Sequence, residues 1–250
     1  MTDLPDLPGL RIKIFADGAD LEGIREMYDC DLIKGFTTNP TLMRKAGVTD
    51  YRSFALEVLR VVPDRPISFE VFADEFDEME RQALEIASWA DNVNVKIPIT
   101  NTRGTSSVPL IGRLTEKGVQ VNVTAMFTLD QVRAVTDVID LATPVILSIF
   151  AGRIADTGMD PMPLMREAAG IAAAKPKAEL LWASPRELLN IFQADEVGCH
   201  IITVSNDVLK KLSNLGKVLG QFSLETVQMF HRDASAAGYT IATADMASLA

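Results

Sequence analysis

The stretch "ADNVNVKIPITN", residues 90–101, alternates at period two. Val93, Val95 and Ile97 fall on one side, and Asn92, Asn94 and Lys96 on the other. β-Branched residues at this spacing read as a strand. A strand so apolar is expected to be buried. Desolvating an ammonium group is expensive, so a lysine in its middle needs a reason.

Seven further short apolar runs share the pattern: "RIKIFADG" (11–18), "GFTTNP" (35–40), "PISFEVFA" (66–73), "VQVNVTAMF" (119–127), "PVILSIFAG" (144–152), "AELLWASP" (178–185) and "CHIITVS" (199–205). Their starts, with that of "NVNVKIPI" (92–99), fall 21 to 34 residues apart. Helical patterning fills the gaps, as in "DEFDEMERQALEIASWA" (74–90) and "TLDQVRAVTDVIDLA" (128–142), with Asp74 and Thr128 as expected N-caps. Eight strands alternating with eight helices in 250 residues fit a (β/α)₈ barrel, an α/β fold. A doubly wound open sheet is the alternative, though it seldom needs eight units this even. No linker divides the chain, so residues 1–250 read as one domain, with 206–250 as a C-terminal helical tail.

Composition narrows the function. The chain is 48% hydrophobic, enough for a sizeable core. Its net charge of −10 argues against nucleic acid or an anionic membrane as partner. The opening "MTDLPDLPGL" has neither a basic nor an apolar leader region, and "LATPVILSIFAG" (141–152) is too short to span a bilayer. Two cysteines, Cys30 and Cys199, suit a reduced cytoplasm. With only His200 and His231 and no cysteine cluster, no usual zinc site is expected. There is no G-x-S-x-G elbow and no P-loop. Catalysis is left to Lys, Asp, Glu, Ser, Thr and Asn.

In a barrel, one strand parity faces the helices and the other the interior. The apolar parity here is outward. The opposite parity carries Asp17, Thr37 and Asn39, Ser68 and Glu70, Asn94 and Lys96, Asn122 and Thr124, Ser148, Ser184 and Arg186, and Thr203 and Ser205. Most lie in the C-terminal halves of their strands, where barrel active sites form. Desolvation lowers an amine's pKa, and a neutral amine attacks a carbonyl to form a Schiff base. The alternative is a structural ion pair of Lys96 with Glu70 or Asp17. Two carboxylates also suit a glycosidase, but that leaves Lys96 without work, and 6% aromatic residues is thin for stacking on sugars. Arg153 and Arg186 follow strands six and seven, close to where barrels often hold phosphate; either is alternatively a surface ion pair.

The blocks "GFTTNPTLM" and "VNVKIPIT" resemble the two signatures of the transaldolase family, Schiff-base enzymes with the lysine on the fourth barrel strand. "NVTAMFTLDQ", "LSIFAGRIAD" and "LLWASPRELL" match further family blocks. "SLETVQMFHRDASAAGY" resembles the C-terminal helix of the short members, the subgroup that includes fructose-6-phosphate aldolase. The resemblance implies transfer of a dihydroxyacetone unit between sugar phosphates without a cofactor, in the pentose phosphate pathway. It implies Lys96 as the imine-forming residue and Asp17 as acid/base at the hydroxyl beside the breaking bond. Glu70 and Thr124 would hold a proton-shuttling water. Asn39, Asn122 and Ser148 would bind the donor hydroxyls, with Thr37 supporting the loop of Asn39. Arg153, Ser184 and Arg186 would bind the terminal phosphate.

Aldolase members, which release free dihydroxyacetone, have Tyr at the position of Phe150 and Gln at that of Glu70. Phe150 and Glu70 therefore imply the transferase type. A silent sugar-phosphate sensor would be expected to lose the lysine or a carboxylate, and both are kept. Two departures stand out: Phe36 replaces a smaller residue, and "TNTRGTSSVPLIG" (100–112) follows Lys96 in place of an aliphatic-rich start. The latter loop is expected at the mouth, with Arg103, Ser106 or Ser107 reaching the distal end of the substrate. Short members use their tail between subunits, commonly in rings of five stacked as ten, which implies a homo-oligomer here.

Overall fold

A computed structural model describes Leu7 and residues 9–243. The opening residues on which the absence of a leader rests lie mostly outside that range, as does the tail beyond 243. The chain divides into two compact units between Leu212 and Ser213. In the first, eight parallel strands close into a barrel in sequence order. The order is β1 (Lys13–Asp17), α1 (Leu21–Tyr28), β2 (Ile33–Thr37), α2 (Pro40–Lys45), α3 (Tyr51–Val61), β3 (Ile67–Glu70), α4 (Phe76–Ala87), β4 (Val93–Pro98), α5 (Val108–Glu116) and β5 (Val121–Met126). Then come α6 (Leu129–Val138), β6 (Val145–Ile149), α7 (Ala151–Ala155), α8 (Met162–Ala172), β7 (Ala178–Trp182), α9 (Leu189–Glu196), β8 (Ile201–Ser205) and α10 (Asn206–Leu209). A 3₁₀ turn (Lys210–Asn214) leads out of α10, and the second unit holds α11 (Leu219–Ala236).

All eight expected strands are present, but the helices do not alternate one for one. The gaps after β2 and β6 each carry two helices, and these are the two widest spacings between the apolar runs. Thr128 caps α6 through a full capping box with Gln131. Asp74 does not cap α4. The N-cap is Glu75, without a side-chain bond, because the Asp74 carboxylate instead accepts from the backbone N–H (2.7 Å) and hydroxyl (2.8 Å) of Thr102.

The outward parity is buried against the helices, with Ile14, Val95, Ile97, Val121, Leu147 and Trp182 among the best covered. The inward parity is polar towards the C-terminal mouth and again at the N-terminal end, and apolar between. Below the mouth, Phe15, Ile146, Leu181, Ala183 and Ile201 form a separate apolar plug. Gly35 makes room for that plug: a Cβ there would lie 2.5 Å from the Phe15 ring. A Lys13–Glu179 ion pair lies further towards the N-terminal end. The plug thus closes the barrel below the mouth, and the polar groups above it line a cleft at the C-terminal end.

Candidate active site

Strand register sets the polar row at the mouth. Glu70 pairs with Lys96, and Lys96 with Asn122, so these three side chains lie side by side on β3, β4 and β5. On the far side Asp17 pairs with Thr37 and with Ser205. A cleft of about 630 Å³ opens above them. The twelve residues to which the family resemblance gives a role all line it: Asp17, Thr37, Asn39, Glu70, Lys96, Asn122, Thr124, Ser148, Phe150, Arg153, Ser184 and Arg186. Its volume is in the usual range for small-molecule sites.

Lys96 is 7% exposed. Its Nζ donates to the Thr38 carbonyl at 2.8 Å and lies 3.6 Å from Glu70 Oε2. The ion pair weighed as the structural alternative is therefore present, but it is loose. Burial pushes the Glu70 carboxyl above its ordinary range, and the Lys96 charge offsets this only in part. Asp17 behaves alike: burial raises it, against the lowering effects of Lys96 and of the Thr37 hydroxyl, which donates to it at 2.8 Å. Two carboxyl groups held at a net electrostatic disadvantage beside one amine are what proton-transfer chemistry uses, and are poor staples.

The resemblance implies that Thr37 supports the loop of Asn39; its hydroxyl bonds elsewhere, to Asp17 and in a short contact with Thr203 on β8. Asn39 holds its own loop, capping α2 by accepting from Leu42 N at 3.0 Å. Thr203 also lines the cleft, and the inward parity of β8 was the only sequence signal for it. Lys45 at the end of α2 lines it too, without any sequence signal. Across the mouth, Ser148 donates to Asn122 Oδ1 (2.7 Å), and Asn122 Nδ2 donates to Ser68 Oγ (3.0 Å). This fixes the Asn122 amide in one orientation. Beside Thr124, Ala125 sits at φ +60°, where the pairing of β5 with β6 breaks between Val123 and Met126.

At β6 and β7 the cationic groups converge. Arg186 is clamped by Asp156 through Nε to Oδ1 (2.9 Å) and a second, shorter contact, and donates to Ser184 Oγ at 2.9 Å. That pairing holds the Asp156 carboxyl below its ordinary range. Arg153 lies over the Phe150 ring, 5.4 Å from its centre. Ser184 takes φ +62°, and its carbonyl packs so closely on α7 that a Cβ at Gly152 would lie 1.6 Å away.

The loop after β4 does not reach the mouth. Arg103 is drawn outward by Asp74 (3.4 Å) and Glu75 (2.7 Å), Thr100 and Ser106 pair with each other, and Ser107 is buried. Among the described residues no group of three or more His, Cys, Asp or Glu is arranged to hold a metal ion. No helix among them is long and apolar enough to cross a membrane.

A family model described as Transaldolase/Fructose-6-phosphate aldolase matches residues 14–248. A probable transaldolase of Dehalococcoides mccartyi is 35% identical over 202 residues, covering 80% of this chain and 90% of its own length. One from Herpetosiphon aurantiacus is 34% identical, covering 80% and 87%. Among solved structures, a KGPDC from Streptococcus mutans superposes with a TM-score of 0.53 at 10% identity, covering 80% of this chain and 89% of that one; at that identity it bears on the barrel fold alone. The chain belongs to the transaldolase/fructose-6-phosphate aldolase family, and it is an enzyme of transaldolase type.

Proposed function

We propose that the enzyme moves a dihydroxyacetone unit from a ketose phosphate to an aldose phosphate through an imine on Lys96. The observation that carries this reading is the Lys96 amine, buried at the mouth and facing two carboxyl groups raised by burial. The amine attacks the donor carbonyl carbon to give a carbinolamine. Loss of water leaves the protonated imine, with Glu70 and Thr124 shuttling the protons through a held water. Asp17 takes the proton of the hydroxyl on the far carbon of the breaking bond, the carbon that becomes the aldehyde. The carbon–carbon bond electrons flow into the iminium, giving an enamine and a free aldehyde. An acceptor aldehyde then meets the enamine, Asp17 returns the proton, and hydrolysis frees Lys96. The protonated imine is the electron sink, so the steps are complete without a metal or organic cofactor.

Asn39, Asn122 and Ser148 bind the donor hydroxyls in this reading, and Arg153, Ser184 and Arg186 the terminal phosphate, two of whose oxygens suit a planar guanidinium fork. Thr37 belongs to the acid/base side, through its bond to Asp17. Phe150, without a proton to give, and Glu70 favour transfer over release of free dihydroxyacetone. The enzyme works as a homo-oligomer in the cytoplasm, with small sugar phosphates as its only ligands.

Borohydride added during turnover of a ketose phosphate is expected to trap a dihydroxyacetone-derived adduct on Lys96, mapped by mass spectrometry of peptides. The Lys96→Met protein is expected to trap nothing and to lose activity. An adduct on another lysine, or an active Lys96→Met protein, would overturn the proposal.

A further inference from the structure

Glu70 is the last residue of β3, and at that point its strand has run out of a neighbour. Pairing of β2 with β3 covers only Phe36 with Ile67 and Thr37 with Ser68. One rung on, Thr38 N still reaches the Ser68 carbonyl at 3.2 Å, and then Pro40, which has no N–H, starts α2. Along β3 the amides alternate: Ile67 and Val71 donate towards β4, to Asn92 and to Lys96, so Glu70 N and O face the side that β2 has left. A buried backbone donor and acceptor without partners would be expensive, and the strand end would be free to splay.

The phenol of Tyr51 occupies that gap. Its oxygen accepts from Glu70 N at 2.7 Å and donates to Glu70 O at 2.9 Å, standing in for the missing rung of β2. Its place is set locally, because Asp50 caps α3 by accepting from Ser53 N at 3.0 Å and Tyr51 is the first residue of the helix. The ring is wedged by aromatic neighbours, with centroids 4.5 Å from Phe72, 5.8 Å from Trp89 and 6.2 Å from Phe69. Gln82 fixes the segment beyond, accepting from Phe72 N (2.8 Å) and Ala73 N (3.0 Å). Burial raises the phenol above its ordinary range, so it stays protonated and keeps both bonds.

We infer that Tyr51 is a positioning residue of the active site, holding the backbone of Glu70 so that its carboxylate stays 3.6 Å from Lys96 Nζ. Tyr51 does not line the cleft. The inference rests on the proposed role of Glu70 in imine formation and hydrolysis. Tyr51 lies 19 residues before Glu70 on a different element, and its effect on chemistry passes only through that backbone.

Tyr51→Phe keeps the ring and its aromatic contacts and removes only the oxygen. It is expected to lower kcat about tenfold, short of the ~100-fold that a displacement of ~1 Å brings, with little change in KM. Placed in a Glu70→Ala protein, whose slow trapping by borohydride remains measurable, Tyr51→Phe is expected to cause no further loss. Thermal melts of all four proteins confirm that each is folded at the assay temperature. An equal loss in both backgrounds would make Tyr51 merely structural and overturn the inference while leaving Glu70 in place. No loss in either would overturn it too. If Glu70→Ala alone keeps full activity, the proposed role of Glu70 fails, and the inference fails with it.

Discussion

At the scale of single residues, the site is held together against its own electrostatics. Asp17 is held by Thr37 and faces Lys96, yet burial still raises it. A carboxyl whose pKa is higher in the folded than in the unfolded chain carries more protons in the native state. Its contribution to stability is then greatest below the unfolded value and is lost as pH rises through the folded one. Asp17→Asn removes that penalty while keeping an oxygen for the Thr37 hydroxyl. The variant is expected to melt higher than the parent at neutral pH, on a scale of ~2–4 °C per kcal/mol for a chain of this size. The gain should vanish below about pH 4, where the unfolded carboxyl is also protonated. Activity should fall ~10²–10⁴-fold as the acid/base is lost. Melting curves across pH check the first claim; equal or lower melting at neutral pH would mean that the Lys96 charge outweighs burial. Phe150 is the second test at this scale. Its ring lies in the cleft with Arg153 over it and Phe127 5.8 Å away. Phe150→Tyr adds a proton donor beside the enamine and is expected to raise the ratio of dihydroxyacetone release to transfer by ~10-fold or more. That ratio is read from dihydroxyacetone formed with and without an aldehyde acceptor. An unchanged ratio would make Phe150 simple packing at the barrel top.

At the scale of elements, the anion end of the site depends on how closely α7 meets the turn after β7. Gly152 lets the Ser184 carbonyl approach to where a Cβ would sit, while Ser184 itself stands at positive φ. Neither side has room to yield, so Gly152→Ala must push the two elements apart and carry Arg153, Ser184 and Arg186 with them. The expected result is a stability loss of about 1–3 kcal/mol or more, as overpacked interiors show. KM for phosphorylated donors should rise more than KM for free dihydroxyacetone, because remote anion binding is lost. A variant with parent-like melting and KM would refute the contact. The strands and the mouth were legible in the sequence because both obey a period of two: Val93 and Val95 against Asn94 and Lys96 is a signal that neighbours repeat seven times. What was not legible lies off that period. Asp74 leaves α4 for Thr102, Arg103 turns from the mouth to Glu75, and Tyr51 reaches across 19 residues to a backbone. Such side-chain bonds between elements depend on loop geometry, which leaves no trace in hydrophobic spacing. Phe15, Ile146, Leu181 and Ile201 were hidden differently, since their apolar plug shares the parity of the polar residues above it.

At the scale of the whole molecule, the open question is what supports the tail. Leu209 and Leu212, at the start of the tail, are buried at the end of the barrel unit. The second unit is different. α11 runs 18 residues without one buried side chain. Leu219 is 82% exposed and Phe230 63%, with Phe222, Leu224, Val227 and Met229 also exposed. Leu219, Phe222 and Phe230 recur at helical spacing, as a packed face would. A helix of this length on its own is marginal in water, and most helices in proteins owe their stability to packing of an apolar face. Large apolar faces left open usually mark an interaction surface, and the tail's resemblance to that of short family members points to a second copy of the chain. The protein is therefore expected to sediment as a homo-oligomer, at a multiple of 27.3 kDa. Replacing Phe222 and Phe230 by Glu should break the assembly by burying two unpaired charges in its interface, each costing several kcal/mol. The barrel unit, with its own plug and closed sheet, should stay folded in that variant, as read by circular dichroism and a cooperative melt. A parent protein that runs as a monomer at micromolar concentration, or a doubly substituted protein whose mass in light scattering is unchanged, would end the idea that α11 joins subunits.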